Sequence, residues 1–158
     1  MKQFQKLLLY ATFMSLLFVF GCTTKSETTT GNTAVNSLAV ATTPKVDKIE
    51  VYHFHGTNQC YTCKTIKAYA ETTVNTYFSN ELASGKIVFA SINVDEPTNL
   101  ETTMKYGATG SSLWLGVYDD TGFHAEQNTN VWYKIDNKQA YMDYLKGVIE
   151  KRLIGDYS

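Results

Sequence analysis

The chain has 158 residues, which suits one domain plus extras, and its formal net charge of −1 gives no basic footprint for nucleic acid. With 44% hydrophobic residues and no overall enrichment of glycine or proline, it has the composition of a packed globular protein.

Lys2 and Lys6 form a basic start, followed by "LLLYATFMSLLFVFGC", an apolar run closed by a small residue and a cysteine. This is the pattern of an export signal. "VFGC" resembles the bacterial lipobox with Gly21 at the cleavage position. The resemblance implies a signal peptide over residues 1–21 and a lipid on Cys22, whose acyl chains would anchor the mature protein in a membrane. The other reading is an uncleaved anchor, although the run falls slightly short of a comfortable span. Both place the domain in the cell envelope, outside the cytoplasm, with the periplasmic side of a bacterial membrane expected. Residues 22–44 then turn to Thr, Ser, Asn, Ala and Gly, a composition that cannot bury enough surface to offset its ordering entropy. They read as a flexible tether before a domain over residues 45–158.

"KIEVYHFHG" (Lys48 to Gly56) is β-branched and aromatic and ends at glycine, so a strand is expected. Cys60-Tyr61-Thr62-Cys63 follows, then a helical stretch with Ile66, Ala70, Val74, Tyr77 and Phe78 on one face and Gly85 as its stop. "IVFASINV" (Ile87 to Val94) is apolar enough to be a central buried strand. Pro97 opens a short helix that Gly107 closes. "SLWLGVYDDTGFHAE" predicts a hairpin around Asp119-Asp120-Thr121-Gly122. Tyr141, Tyr144, Leu145, Val148 and Ile149 predict a final amphipathic helix. A βαβ unit followed by a ββα unit gives an α/β domain, a mixed central sheet with helices on both faces.

The cysteine pair falls where the first strand hands over to the first helix. There the positive end of the helix dipole and unpaired N–H groups favour thiolate, which makes Cys60 the attacking sulfur. Cys63, one turn on, is placed to resolve a mixed disulfide. A purely structural bridge is disfavoured, because so short a loop removes little denatured-state entropy. A metal site needs more than two thiolates. His53 and His55 share one face of their strand and either could lie near the cysteines. A module binding a soft metal or arsenite through Cys60 and Cys63, with His53, His55 or Ser112 nearby, is therefore the alternative. A third reading, a docking subunit presenting some of its 11 tyrosines, competes with ordinary strand packing.

From Lys45 to Leu153 the sequence resembles the thioredoxin-like superfamily, through "CYTCKTI", "INVDEP" and "KYGATG". "VYHFHG…CYTCK…NVDEP" is similar to the small exported ArsF-like proteins, also called the nitrophenyl compound nitroreductase subunit family. The resemblance implies a thioredoxin-like fold and thiol–disulfide oxidoreductase activity, with Cys60 as nucleophile and Cys63 as resolving cysteine. It implies no cofactor, exported proteins or small disulfides as substrates, and a redox partner protein. Tyr61 and Thr62 would tune the potential from between the cysteines. Two departures stand out. Ser111 and Ser112 occupy the place of the family's cis-proline, where a trans loop is expected because cis bonds without proline are costly. His53, allowing one inserted residue, falls near the family's buried proton-relaying acid, which makes it a candidate proton acceptor.

Overall fold

The computed structural model describes residues 43–158; the export segment, Cys22 and most of the tether lie outside the described residues. Strand β1 (Val46–His55) pairs in parallel with β2 (Ile87–Asn93) and antiparallel with β3 (Ser112–Asp119). β3 in turn pairs antiparallel with β4 (Gly122–Gln127), giving the strand order β2-β1-β3-β4. Helices α1 (Tyr61–Tyr77) and α2 (Ser79–Ser84) connect β1 to β2, and α3 (Leu100–Tyr106) connects β2 to β3. A 3-10 turn over Thr129–Lys134 leads to the last helix, α4 (Lys138–Leu153). This is a thioredoxin-like arrangement, with the helices divided between the two faces of one mixed sheet.

Side chains alternate along a strand, so the central β1 serves two cores. On one face Ile49 and Val51 meet Leu113, Leu115 and Val117 of β3. Ile66, Ala70 and Val74 of α1 and Tyr141, Leu145 and Ile149 of α4 cover them, all 1% exposed or less. Each fully buried aliphatic side chain contributes roughly 1.5–3 kcal/mol by leaving water. The helical periodicities expected from the sequence therefore coincide with the buried faces.

On the other face Tyr52 and Phe54 pack with Ile92, Trp114, Phe123 and Tyr106 of α3. Among them lies a buried carboxylate. Glu50 Oε2 accepts from the Tyr106 hydroxyl at 2.7 Å and the Tyr118 hydroxyl at 2.9 Å, and Oε1 accepts from Lys48 Nζ at 2.7 Å. Burial alone would raise its pKa, but these three donors outweigh burial and hold it below the usual carboxylate value. Tyr106 reaches Glu50 by crossing β3 at Gly116, where even a methyl group would overlap the phenol.

Gly85 and Gly107, expected as helix stops, adopt φ of 75° and 67°, the left-handed conformation that closes a helix. Two sequence expectations need correction. The helical run does not continue unbroken to Gly85: Phe78 leaves helical geometry at φ −130° and ψ 33° while its side chain enters the core. Among the described residues β2 is not central but an edge strand. It reads as apolar because both its faces are covered, through Ile87 on the α1 side and Ile92 on the α3 side. Covered faces say nothing about lateral neighbours.

The two ends of the described chain meet at the hairpin. Asp119 accepts from the main chain of Thr121 at 2.8 Å and Gly122 at 3.1 Å, and from the Tyr157 hydroxyl. Lys45 N donates to Asp120 at 3.1 Å, while Gly155 packs against Pro44.

Gly116→Ala forces Tyr106 away from Glu50, and overpacking of this kind costs about 1–3 kcal/mol. Urea unfolding should show that loss, and a Tyr106→Ala background should remove most of it.

Candidate active site

β1 ends at His55, and after four intervening residues Cys60 begins the turn into α1. Cys60 is the N-cap of that helix, extended at φ −72° and ψ 169°, and its Sγ accepts the Cys63 N–H at 3.2 Å. A sulfur here takes the part usually played by a Ser, Thr, Asp or Asn oxygen. Cys60 and Cys63 are joined as a disulfide with Cα atoms 5.2 Å apart. Cys60 is exposed, whereas Cys63, in the first turn of α1, is only 7% exposed. The first turn of α1 carries no acidic residue that would oppose negative charge on sulfur.

The loop before Cys60 is braced by the end of β2. Thr57 N donates to Asp95 Oδ2 at 2.7 Å, Asn93 Nδ2 donates to Thr57 Oγ1 at 3.2 Å, and Val94 N donates to His55 O at 2.8 Å. The Thr57 amide is the main cause of a lowered Asp95 pKa. Gln59, immediately before Cys60, has a buried Oε1 with no protein partner. Sequence reading missed this bracing, although "NVDEP" carried the residues that provide it.

His53 is fully buried on the β1 face that α1 covers. Its ring stacks on His55 with centroids 5.5 Å apart, and its Nδ1 lies 3.2 Å from Ser91 Oγ. Nε2 is buried without a hydrogen-bond partner. Burial, then the charges of His55 and Lys67, push its pKa down from 6.5 to about 4. The Cys63 main chain faces the ring and opposes this shift without completing a hydrogen bond to Nε2. The imidazole is therefore neutral at pH 7.

Tyr61, next in the chain to the exposed Cys60, is 81% exposed, a large side chain presented to solvent. Thr62 is half-buried between the cysteines. Ser112 opens β3 opposite Phe54, which puts it at the same end of the sheet as the cysteine loop. Its hydroxyl is committed locally, donating to Gly110 O at 2.9 Å and accepting from Trp114 Nε1 at 2.9 Å. Ser111 lies half-buried in the adjoining loop, beside a small cleft shared with Thr109 and Gly110. Every described peptide bond is trans. A larger cavity of about 560 Å³ lies between β4 and α4, lined by Asn128, Tyr144 and Arg152 among others, and none of the site residues above lines it. Among the described residues, no group of three His, Cys, Asp or Glu side chains is arranged to hold a metal ion.

Fold and site together define a thioredoxin-like domain with a CxxC disulfide at the start of its first helix. The chain is similar to the Trx4 domain of ERdj5, known from a crystal structure, at 16% identity, with 66% of this chain and 82% of that chain covered and a TM-score of 0.43. No family model and no curated protein matches the chain.

The neutral buried histidine has a thermodynamic consequence. The unfolded chain binds a proton at His53 below pH 6.5, whereas the folded protein resists it down to about 4, so stability falls as pH drops through this window. The loss is on the order of 3 kcal/mol and levels off below pH 4. Urea titrations from pH 7.5 to 4 should show that slope in the wild type and lack that part of it in His53→Gln.

Proposed function

We propose that the domain is a membrane-tethered thiol–disulfide oxidoreductase acting on exported protein or small disulfides. One observation carries this reading: the Cys60–Cys63 disulfide caps a helix with one cysteine exposed and the other buried. In the reduced protein, the Cys60 thiolate attacks a substrate disulfide R–S–S–R. The Cys60–S–R bond forms, and RS⁻ leaves and takes a proton from solvent. Cys63 gives up its proton and attacks the Cys60 sulfur, forming the Cys60–Cys63 bond and releasing the second RS⁻, which solvent protonates. The substrate gains two electrons, the dithiol loses two, and the reverse sequence oxidises substrate thiols.

His53 is the proposed proton acceptor for Cys63, since it is the buried base against the Cys63 main chain. Tyr61 offers an apolar contact to the incoming chain, and the Ser111–Ser112 loop borders the site at the start of β3. The motif resemblance to the exported ArsF-like proteins supports the placement in the envelope and supplies no substrate.

Cys60→Ser should abolish reduction of a protein disulfide, whereas Cys63→Ser should accumulate mixed disulfides visible by non-reducing electrophoresis and mass spectrometry. Full reductase activity in both variants sinks the proposal. Tethering predicts that cells fed labelled palmitate incorporate it into the wild-type protein and not into Cys22→Ala.

A further inference from the structure

A buried histidine that takes a proton from Cys63 must also dispose of it. His53 has no contact with water of its own, being 0% exposed. Its partner across the parallel β1–β2 pairing is Ser91, and the two side chains meet at 3.2 Å between Nδ1 and Oγ. Ser91 is exposed, on a strand with no outer neighbour among the described residues. The other ring nitrogen, Nε2, is buried and unpartnered, which is uncommon enough to require an explanation.

We propose that the Ser91 hydroxyl is the outlet of a proton path running from the Cys63 thiol through the His53 imidazole to solvent at the edge of β2. This rests on the oxidoreductase reading and adds a residue that reading does not require. For Nε2 to accept a proton it must be bare, so the neutral ring carries its hydrogen on Nδ1, donated to Ser91 Oγ. Ser91 selects that tautomer by accepting.

The groups facing the ring are the stacked His55 on its own strand and Lys67 and Cys63 from α1. The paired strands supply Ser91 from β2 and Leu113 from β3, neither of them charged. None of these is a carboxylate; the Cys63 main chain alone favours a second proton on the imidazole, and burial outweighs it. The proton therefore leaves as it arrives. The thiol proton passes from Cys63 Sγ to Nε2, the Nδ1 proton passes to Ser91 Oγ, and the hydroxyl proton passes to water. The ring ends neutral in its other tautomer, and Cys63 is left as the thiolate that attacks Cys60. Return of protons along the same path resets the ring.

The test uses reduced protein and dithiobis-nitrobenzoate, which releases one coloured thiolate when Cys60 attacks and a second when Cys63 resolves the mixed disulfide. Ser91→Ala should leave the first phase unchanged and slow the second about tenfold near pH 7. The defect should shrink as the pH rises past about 9, where a cysteine thiol ionises increasingly without assistance. Ser91→Thr, which keeps the hydroxyl, should restore the second phase. Nitrogen-15 NMR should find the Nδ1–H tautomer of His53 in wild type and Ser91→Thr, and a mixture in Ser91→Ala. Equal second-phase rates in wild type and Ser91→Ala from pH 6 to 9, or an Nε2–H tautomer in the wild type, would overturn the proton path alone. A wild type that never releases the second thiolate would overturn the oxidoreductase reading, and the path with it.

Discussion

The site depends on one sulfur completing a helix end. An α-helix begins with N–H groups that have no intrahelical acceptor, and here Cys60 Sγ receives the amide of Cys63. The same sulfur is covalently joined to Cys63. Capping and redox chemistry therefore share an atom. When the disulfide opens, the N-terminal amides and the dipole of α1 remain to stabilise whatever charge the sulfur carries. Cys60 ends a short loop that follows β1 and starts a long helix, so its position is fixed from both directions. The Thr57–Asp95 and Asn93–Thr57 contacts then tie the intervening loop to the end of β2.

The central strand sets the two environments that follow from this. On the face toward α3, Glu50 is buried with three donors and stays ionised. On the face toward α1, His53 is buried with one partner and stays neutral. Burial opposes charge in both cases, and the number of compensating hydrogen bonds decides the outcome. The charged group lies among the aromatic side chains toward α3, and the neutral one lies on the opposite face of the same strand.

Much of this was legible in the sequence, for reasons that differ by element. The buried faces of α1 and α4 follow from spacing, because a helix repeats its environment every three or four residues. The hairpin follows from local turn chemistry around Asp119 to Gly122, and the cysteine pair from its place after a strand. What stayed hidden was nonlocal. Ser91 meets His53 only through the register of a parallel pair closed by a helical crossover, and no short motif encodes that register. The edge position of β2 was misread because its side chains are covered above and below. Phe78 was assigned to the continuing helix because its apolar side chain fits the spacing even though its backbone departs from it. Ser112 stands at the expected end of the sheet, yet hydrogen bonds to Gly110 and Trp114 absorb its hydroxyl, a detail only coordinates reveal.

The direction of β1 has a mechanical meaning. The strand enters the sheet at Val46, beside the clasp of Asp119, Tyr157 and Pro44, and leaves it next to the cysteines. Ten residues at strand rise separate those points by about 30 Å, close to the full height of a small domain. Tension applied through the residues before Lys45 thus loads the hairpin clasp first. The cysteine turn therefore stands at the end of the sheet opposite that clasp, like a lamp at the free end of its arm.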